Sequence, residues 1–123
     1  MLFFLINQKE NFMGYFYLII AIVGEVIGTI SVKNSEGFSQ PIHTILVVIG
    51  YVIAFYFMML SMKTIPVAIT YSIWSGIGIT AIAVISALRF GEVPDFYAIL
   101  GLLFIIVGIF ILVSLSEMGK NIN

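Results

Sequence analysis

The sequence predicts an all-α membrane protein with four transmembrane helices per subunit, and three observations carry that prediction. Of 123 residues, 62% are hydrophobic and 9% charged, and the mean hydropathy is +1.21. Polar side chains are therefore too few to cover a water-soluble globule. The apolar residues gather into four runs, residues 14–32, 42–62, 66–88 and 96–115, each near the ~20 residues that an α-helix needs to cross ~30 Å of hydrocarbon. Finally, all of the five Lys and Arg and six Asp and Glu residues fall outside those runs except Glu25.

Taken in order, residues 1–12 precede the first run and read as an extension or interfacial arm to which no function is assigned. Their one short apolar stretch, with no preceding charge, makes a poor signal peptide. Residues 13–116 form the transmembrane domain and 117–123 a C-terminal tail. The first run closes at Lys33-Asn34-Ser35-Glu36-Gly37, which supplies a terminal cation, helix breakers and a glycine for a left-handed cap. Pro41 opens the second run. Lys63-Thr64-Ile65 is a very short link to the third, and Pro66 suits the first helical position. Arg89 to Asp95 separates the third run from the fourth, with Pro94-Asp95 at the new N-terminus. Links this short predict that consecutive helices are antiparallel neighbours.

Several function classes fall away on composition. Without cysteine there is no disulfide, thiol catalysis or cysteine-ligated metal, and the single histidine, His43, builds no metal site. A net charge of -1 argues against nucleic acid. No nucleophile and base can be assembled from the spans, so no enzyme and no cofactor are expected. The cations are nearly balanced across the membrane: Lys9, Lys63 and Lys120 on one side, Lys33 and Arg89 on the other. Because orientation follows the Lys and Arg bias of short loops, a balanced chain inserts both ways, which permits an antiparallel two-fold dimer.

Glu25 lies mid-span, where a charged carboxylate costs roughly 2.5 to 3.5 kcal/mol on insertion scales. No Lys or Arg in any span neutralises it. Such an acid reads as a proton or cation site; the plainer reading is a structural acid, protonated or hydrogen-bonded to another helix. Leu18, Ala21, Ile22, Gly28 and Thr29 share its face at helical spacing. The small residues among them admit a ligand or, equally well, another helix.

In the third run Tyr71, Trp74 and Gly78 share a face, and Trp74 is the only tryptophan. It lies eight residues beyond Pro66, about 12 Å along the axis and deeper than an interfacial belt residue. A buried indole and phenol beside an acid suit an organic cation, whose charge meets the carboxylate while its apolar body lies on the rings. Simple packing of each ring is the alternative. Gly76 and Gly78 predict a helix kink or, alternatively, close packing. Tyr51, Phe55 and Met58 offer an adaptable apolar face in the second run. In the fourth, Gly101, Ile105, Gly108 and Leu112 form a seam with no polar site, most simply a dimerisation element.

Gly24-Glu25-Val26-Ile27-Gly28-Thr29, Ser35-Glu36-Gly37-Phe38 after Lys33, and Ile65-Pro66 through Tyr71-Ser72-Ile73-Trp74-Ser75-Gly76-Ile77-Gly78 together resemble the small multidrug resistance family, from about Met13 to Leu115. The resemblance implies a multi-pass protein of a prokaryotic cell membrane that forms an antiparallel dual-topology homodimer. It would exchange protons for lipophilic or quaternary ammonium cations by alternating access. On that likeness Glu25 is the shared proton and substrate site, Tyr71 and Trp74 are its aromatic walls, Gly76 to Gly78 the kink, and Gly101 to Gly108 the dimer seam. Gly28-Thr29 and Trp74-Ser75-Gly76 look like the quaternary-ammonium branch rather than the guanidinium-exporting one. Ala54 is a departure, standing where relatives often carry serine, so one polar partner of the acid is missing. The competing readings are a guanidinium exporter, one half of a paired heterodimer, and a structural subunit whose Glu25 pairs a partner's cation.

Overall fold

The computed structural model describes residues 2–117, with the backbone alone for residues 3–8. Met1 and residues 118–123, which include Lys120 and nearly all of the C-terminal tail, lie outside the described residues. Four helices follow in chain order: α1 (Leu2–Asn34), α2 (Pro41–Ser61), α3 (Val67–Phe90) and α4 (Phe96–Ser114). All four are long and apolar enough to span a bilayer, and no strand occurs among the described residues.

The ends follow local chemistry. α1 begins well before the first apolar run, so residues 2–12 continue its axis; its membrane-length segment is Lys9–Asn34. At the other end the buried Ser35 hydroxyl donates to the Val32 carbonyl at 2.7 Å and accepts from the Phe38 amide at 3.1 Å. Between them Glu36, Gly37 and Phe38 all take positive φ (49°, 70° and 65°). Pro41 opens α2, whereas Pro66 sits one place outside α3 as its N-cap, with φ -55° and ψ 145°. α3 closes on Gly91 in the left-handed conformation at φ 71°, where a side chain would be strained. The Asp95 carboxylate caps α4 by accepting from the Ala98 amide at 2.8 Å.

Packing is uneven. α1 lies against α2 along most of its membrane length and against α3 on another face. Consecutive helices are thus close backbone neighbours at the α1–α2 and α3–α4 pairs, but not at the α2–α3 pair. The α2 and α3 backbones stay apart, and the two helices meet mainly through side chains such as Phe55 and Trp74. The α1–α2 crossing is made by small residues. A Cβ at Gly24 would stand 2.7 Å from the Gly50 carbonyl oxygen, and one at Gly50 would stand 2.7 Å from the Gly28 amide nitrogen. Gly24 and Gly28, four apart on α1, therefore oppose Gly50 and Ala54, four apart on α2, and the backbones meet directly. α4 touches α3 alone, through Ile109 packed on Gly76, and buries no residue.

Candidate functional site

Glu25 sits at the centre of the three-helix contact, 9% exposed. One carboxylate oxygen, Oε2, is buried without a hydrogen-bond partner among the described residues. α1 turns this side chain toward α3, where Gly78 leaves room for it. A Cβ at Gly78 would lie 2.6 Å from the Glu25 carboxyl carbon and closer still to Oε2. The carboxylate therefore occupies the space a larger residue would fill. A buried acceptor left open at bilayer depth is a place for a proton or a cation.

Trp74 lies four residues before Gly78 on α3, one helical turn away, and is 8% exposed. Its indole N–H also has no partner among the described residues. Leu18, Ala21 and Ile22 of α1, with Ala54 and Met58 of α2, form the buried cluster around it. These four expected wall residues, Leu18, Ala21, Ile22 and Met58, thus pack together beneath the indole. Ala54 is completely buried and pressed against Gly24 at the helix crossing.

The aromatic residues form one continuous array. Trp74 is 5.6 Å from Tyr71 and 5.9 Å from Phe55, centroid to centroid, and Phe55 is stacked 6.1 Å from Tyr51 at 27°. Tyr51 lies over Gly28, where a Cβ would stand 2.9 Å from the ring. Its hydroxyl is 2.5 Å from the Thr29 hydroxyl. Tyr71 and Phe55 are 55% and 53% exposed, so the array has a buried indole flanked by two open rings. Such faces attract an organic cation through the negative potential of the π-system.

Other expected residues are placed elsewhere. Gly76 and Gly78 lie in one continuous helix, the first against α4 and the second against Glu25. A Cβ added at Gly101 or Gly108 would meet nothing within 4 Å, and Ile105 is 39% exposed. An apolar cavity of about 590 Å³ between α3 and α4, lined by Ile77, Val84, Ile106 and Phe110 among others, does not reach Glu25. Beyond the spans, Lys33 pairs with Glu92 and stands 4.5 Å from the Phe90 ring, tying the first link to the third.

Two features escaped sequence reasoning. Gly50 is fully committed to the α1–α2 crossing, and its spacing to Ala54 was the available signal. The Thr29–Tyr51 hydrogen bond had no sequence signal, because the two residues lie on different helices. No group of three metal-ligating side chains occurs among the described residues.

Residues 13–105 match the family described as Small Multidrug Resistance protein. The quaternary ammonium compound-resistance protein QacE of Escherichia coli is 44% identical over 108 residues, covering 88% of this chain and 98% of that protein. A multidrug transporter of Pseudomonas aeruginosa is 44% identical over 104 residues, covering 85% and 94%. The corresponding figures for QacC of Staphylococcus aureus, a protein of the same resistance class by name, are 42% over 109 residues, 89% and 99%. Four membrane-length helices and bacterial relatives make this a multi-pass protein of a prokaryotic cell membrane, and none of these relatives is an enzyme. Agreement across almost the whole length of both partners leaves one conclusion: the chain belongs to the small multidrug resistance family.

Proposed function

We propose that this chain is a proton-coupled antiporter that exports lipophilic or quaternary ammonium cations, working as an antiparallel dual-topology homodimer. One observation carries the reading: the buried, unpartnered Oε2 of Glu25 lies against Gly78, which is one helical turn along α3 from Trp74. The names of the relatives, which speak of quaternary ammonium compounds and multiple drugs, support the substrate class.

The mechanism is competition for one negative charge. In lipid, with no Lys or Arg within the spans, Glu25 holds either a proton or an organic cation. A cation enters as protons leave, its ammonium on the carboxylate and its apolar body on Trp74, Tyr71 and Phe55. Protons arriving from the other side displace it. A helix bend at Gly76 and Gly78 lets the site open to alternate sides. In a dimer two copies of Glu25 share the work, and two protons for one monocation move one net charge per cycle. Each 100 mV of potential then adds ~2.3 kcal/mol of drive.

The test is uptake of a quaternary ammonium compound into proteoliposomes under a pH gradient, comparing the parent with Glu25→Gln. Gradient-driven uptake by the parent and none by the variant is the expected result. Uptake that survives the substitution refutes the mechanism. Guanidinium uptake exceeding that of bulky cations assigns the chain to the guanidinium-exporting branch, and an inactive parent supports a structural subunit.

A further inference from the structure

A second cavity, of about 310 Å³, lies between α1, α2 and α3 at the end of the molecule that carries the first and third links. Its wall changes character with depth. Toward the bilayer centre it is lined by Val26, Ile30, Leu46 and Ile85, and at the water end by Asn34, His43 and Arg89. From Val26 to Asn34 is eight residues of α1, about 12 Å. No carboxylate lines the cavity, and Arg89 is its only fixed charge.

Two polar groups there lack partners. Nδ1 of His43 is buried without a hydrogen bond, which a native site rarely leaves uncompensated. Arg89 forms no ion pair among the described residues, because the nearby Glu92 is taken by Lys33. The other acids of these links are engaged elsewhere: Glu36 accepts from Gln40 at 3.4 Å and Asp95 from the Ala98 amide at 2.8 Å. A guanidinium, an imidazole nitrogen and an amide thus converge where headgroups lie, above an apolar slot deep enough for part of an acyl chain.

We propose that this cavity seats a phospholipid with an anionic headgroup, its phosphate on Arg89, His43 and Asn34 and one acyl chain along Ile30, Leu46 and Ile85. The guanidinium matches phosphate oxygens in pairs. The apolar slot is what distinguishes a lipid from a free anion. Neither Glu25, Tyr71 nor Trp74 lines this cavity, so the proposal does not rest on the transport reading.

The experiment is native mass spectrometry of the detergent-purified protein offered equal amounts of phosphatidylglycerol and phosphatidylcholine. The parent is expected to retain phosphatidylglycerol about fivefold over phosphatidylcholine, the preference one basic residue gives near anionic lipid. Arg89→Gln should bring the ratio close to one, and Arg89→Lys should keep most of it. Lys63→Gln, which removes the same charge at the opposite end, should leave it unchanged. Should Arg89→Gln fail to fold, His43→Leu removes the second donor and should lower the ratio. Equal retention of the two lipids by the parent overturns the proposal, as does a Lys63→Gln loss matching that of Arg89→Gln or an unchanged ratio in His43→Leu. Full displacement by excess inorganic phosphate would assign the site to a free anion instead.

Discussion

At the scale of single residues, the site depends on two places where an absent or small side chain makes room. Gly78 faces the Glu25 carboxylate so closely that a methyl group would collide with it. Overpacking of this kind costs about 1–3 kcal/mol, so Gly78→Ala is expected to weaken binding of a quaternary ammonium compound about tenfold or more. Trp74, the only tryptophan, reports that affinity by its fluorescence. Tyr51 lies over Gly28 and is hydrogen-bonded to Thr29. Thr29→Val leaves its hydroxyl unpaired, and a double-mutant cycle with Tyr51→Phe should give a coupling of roughly 0.6 kcal/mol, read from unfolding in mixed micelles. Glu25 and Trp74 were legible as candidates because a lone charge or indole at mid-bilayer stands out wherever the chain folds, and Tyr71 because it shares the face of Trp74. Gly78's place opposite Glu25 was not, since no property of α3 alone names the residue across from it.

Among the helices, α1 and α2 form the tight unit and α4 the loose one. Gly24, Gly28, Gly50 and Ala54 put two backbones in contact, so Gly50→Ala should lower subunit stability by about 1–3 kcal/mol, measured by detergent-titration unfolding. At Gly108 on α4 an added Cβ would meet nothing within 4 Å, so Gly108→Leu begins in open space. It should leave helix content and subunit unfolding within about 0.5 kcal/mol of the parent. If α4 is the dimer seam, the same variant shifts the protein toward monomer in cross-linking or sedimentation. The helix lengths and breaks followed from hydropathy, glycine and proline. That the α2 and α3 backbones stay apart, meeting mainly through side chains, did not follow, because a short link fixes where two helices begin and end without fixing how they diverge.

For the molecule as a whole, charge decides orientation. Lys9 and Lys63 stand at one end and Lys33 and Arg89 at the other, with Lys120 outside the described residues. The Lys33–Glu92 pair is half exposed on both sides and adds little to stability, between 0 and about 1 kcal/mol. Its lysine matters more for insertion. Lys33→Gln leaves Arg89 as the cation of its end, so the population should shift toward the orientation with Lys9 and Lys63 in the cytoplasm. Paired C-terminal reporters, one active in the cytoplasm and one in the periplasm, measure that shift; equal signals from parent and variant would show that the balance does not govern insertion.

The sequence by itself determined the membrane class, the four spans, the lone acid and the ring residues that accompany it. Each of these is a property summed along the chain or the cost of one group in lipid, and neither depends on what lies opposite. The tertiary structure alone decided which faces meet: Gly24 on Gly50, Glu25 in the space left by Gly78, Tyr51 on Gly28 and Thr29, and α4 on α3 only. The physical reason is that these helices are apolar nearly all round. Lipid rewards an apolar surface as well as a protein core does, so hydropathy does not choose which side of a helix turns inward. Shape makes that choice, through small residues on one helix that admit the backbone or side chain of another.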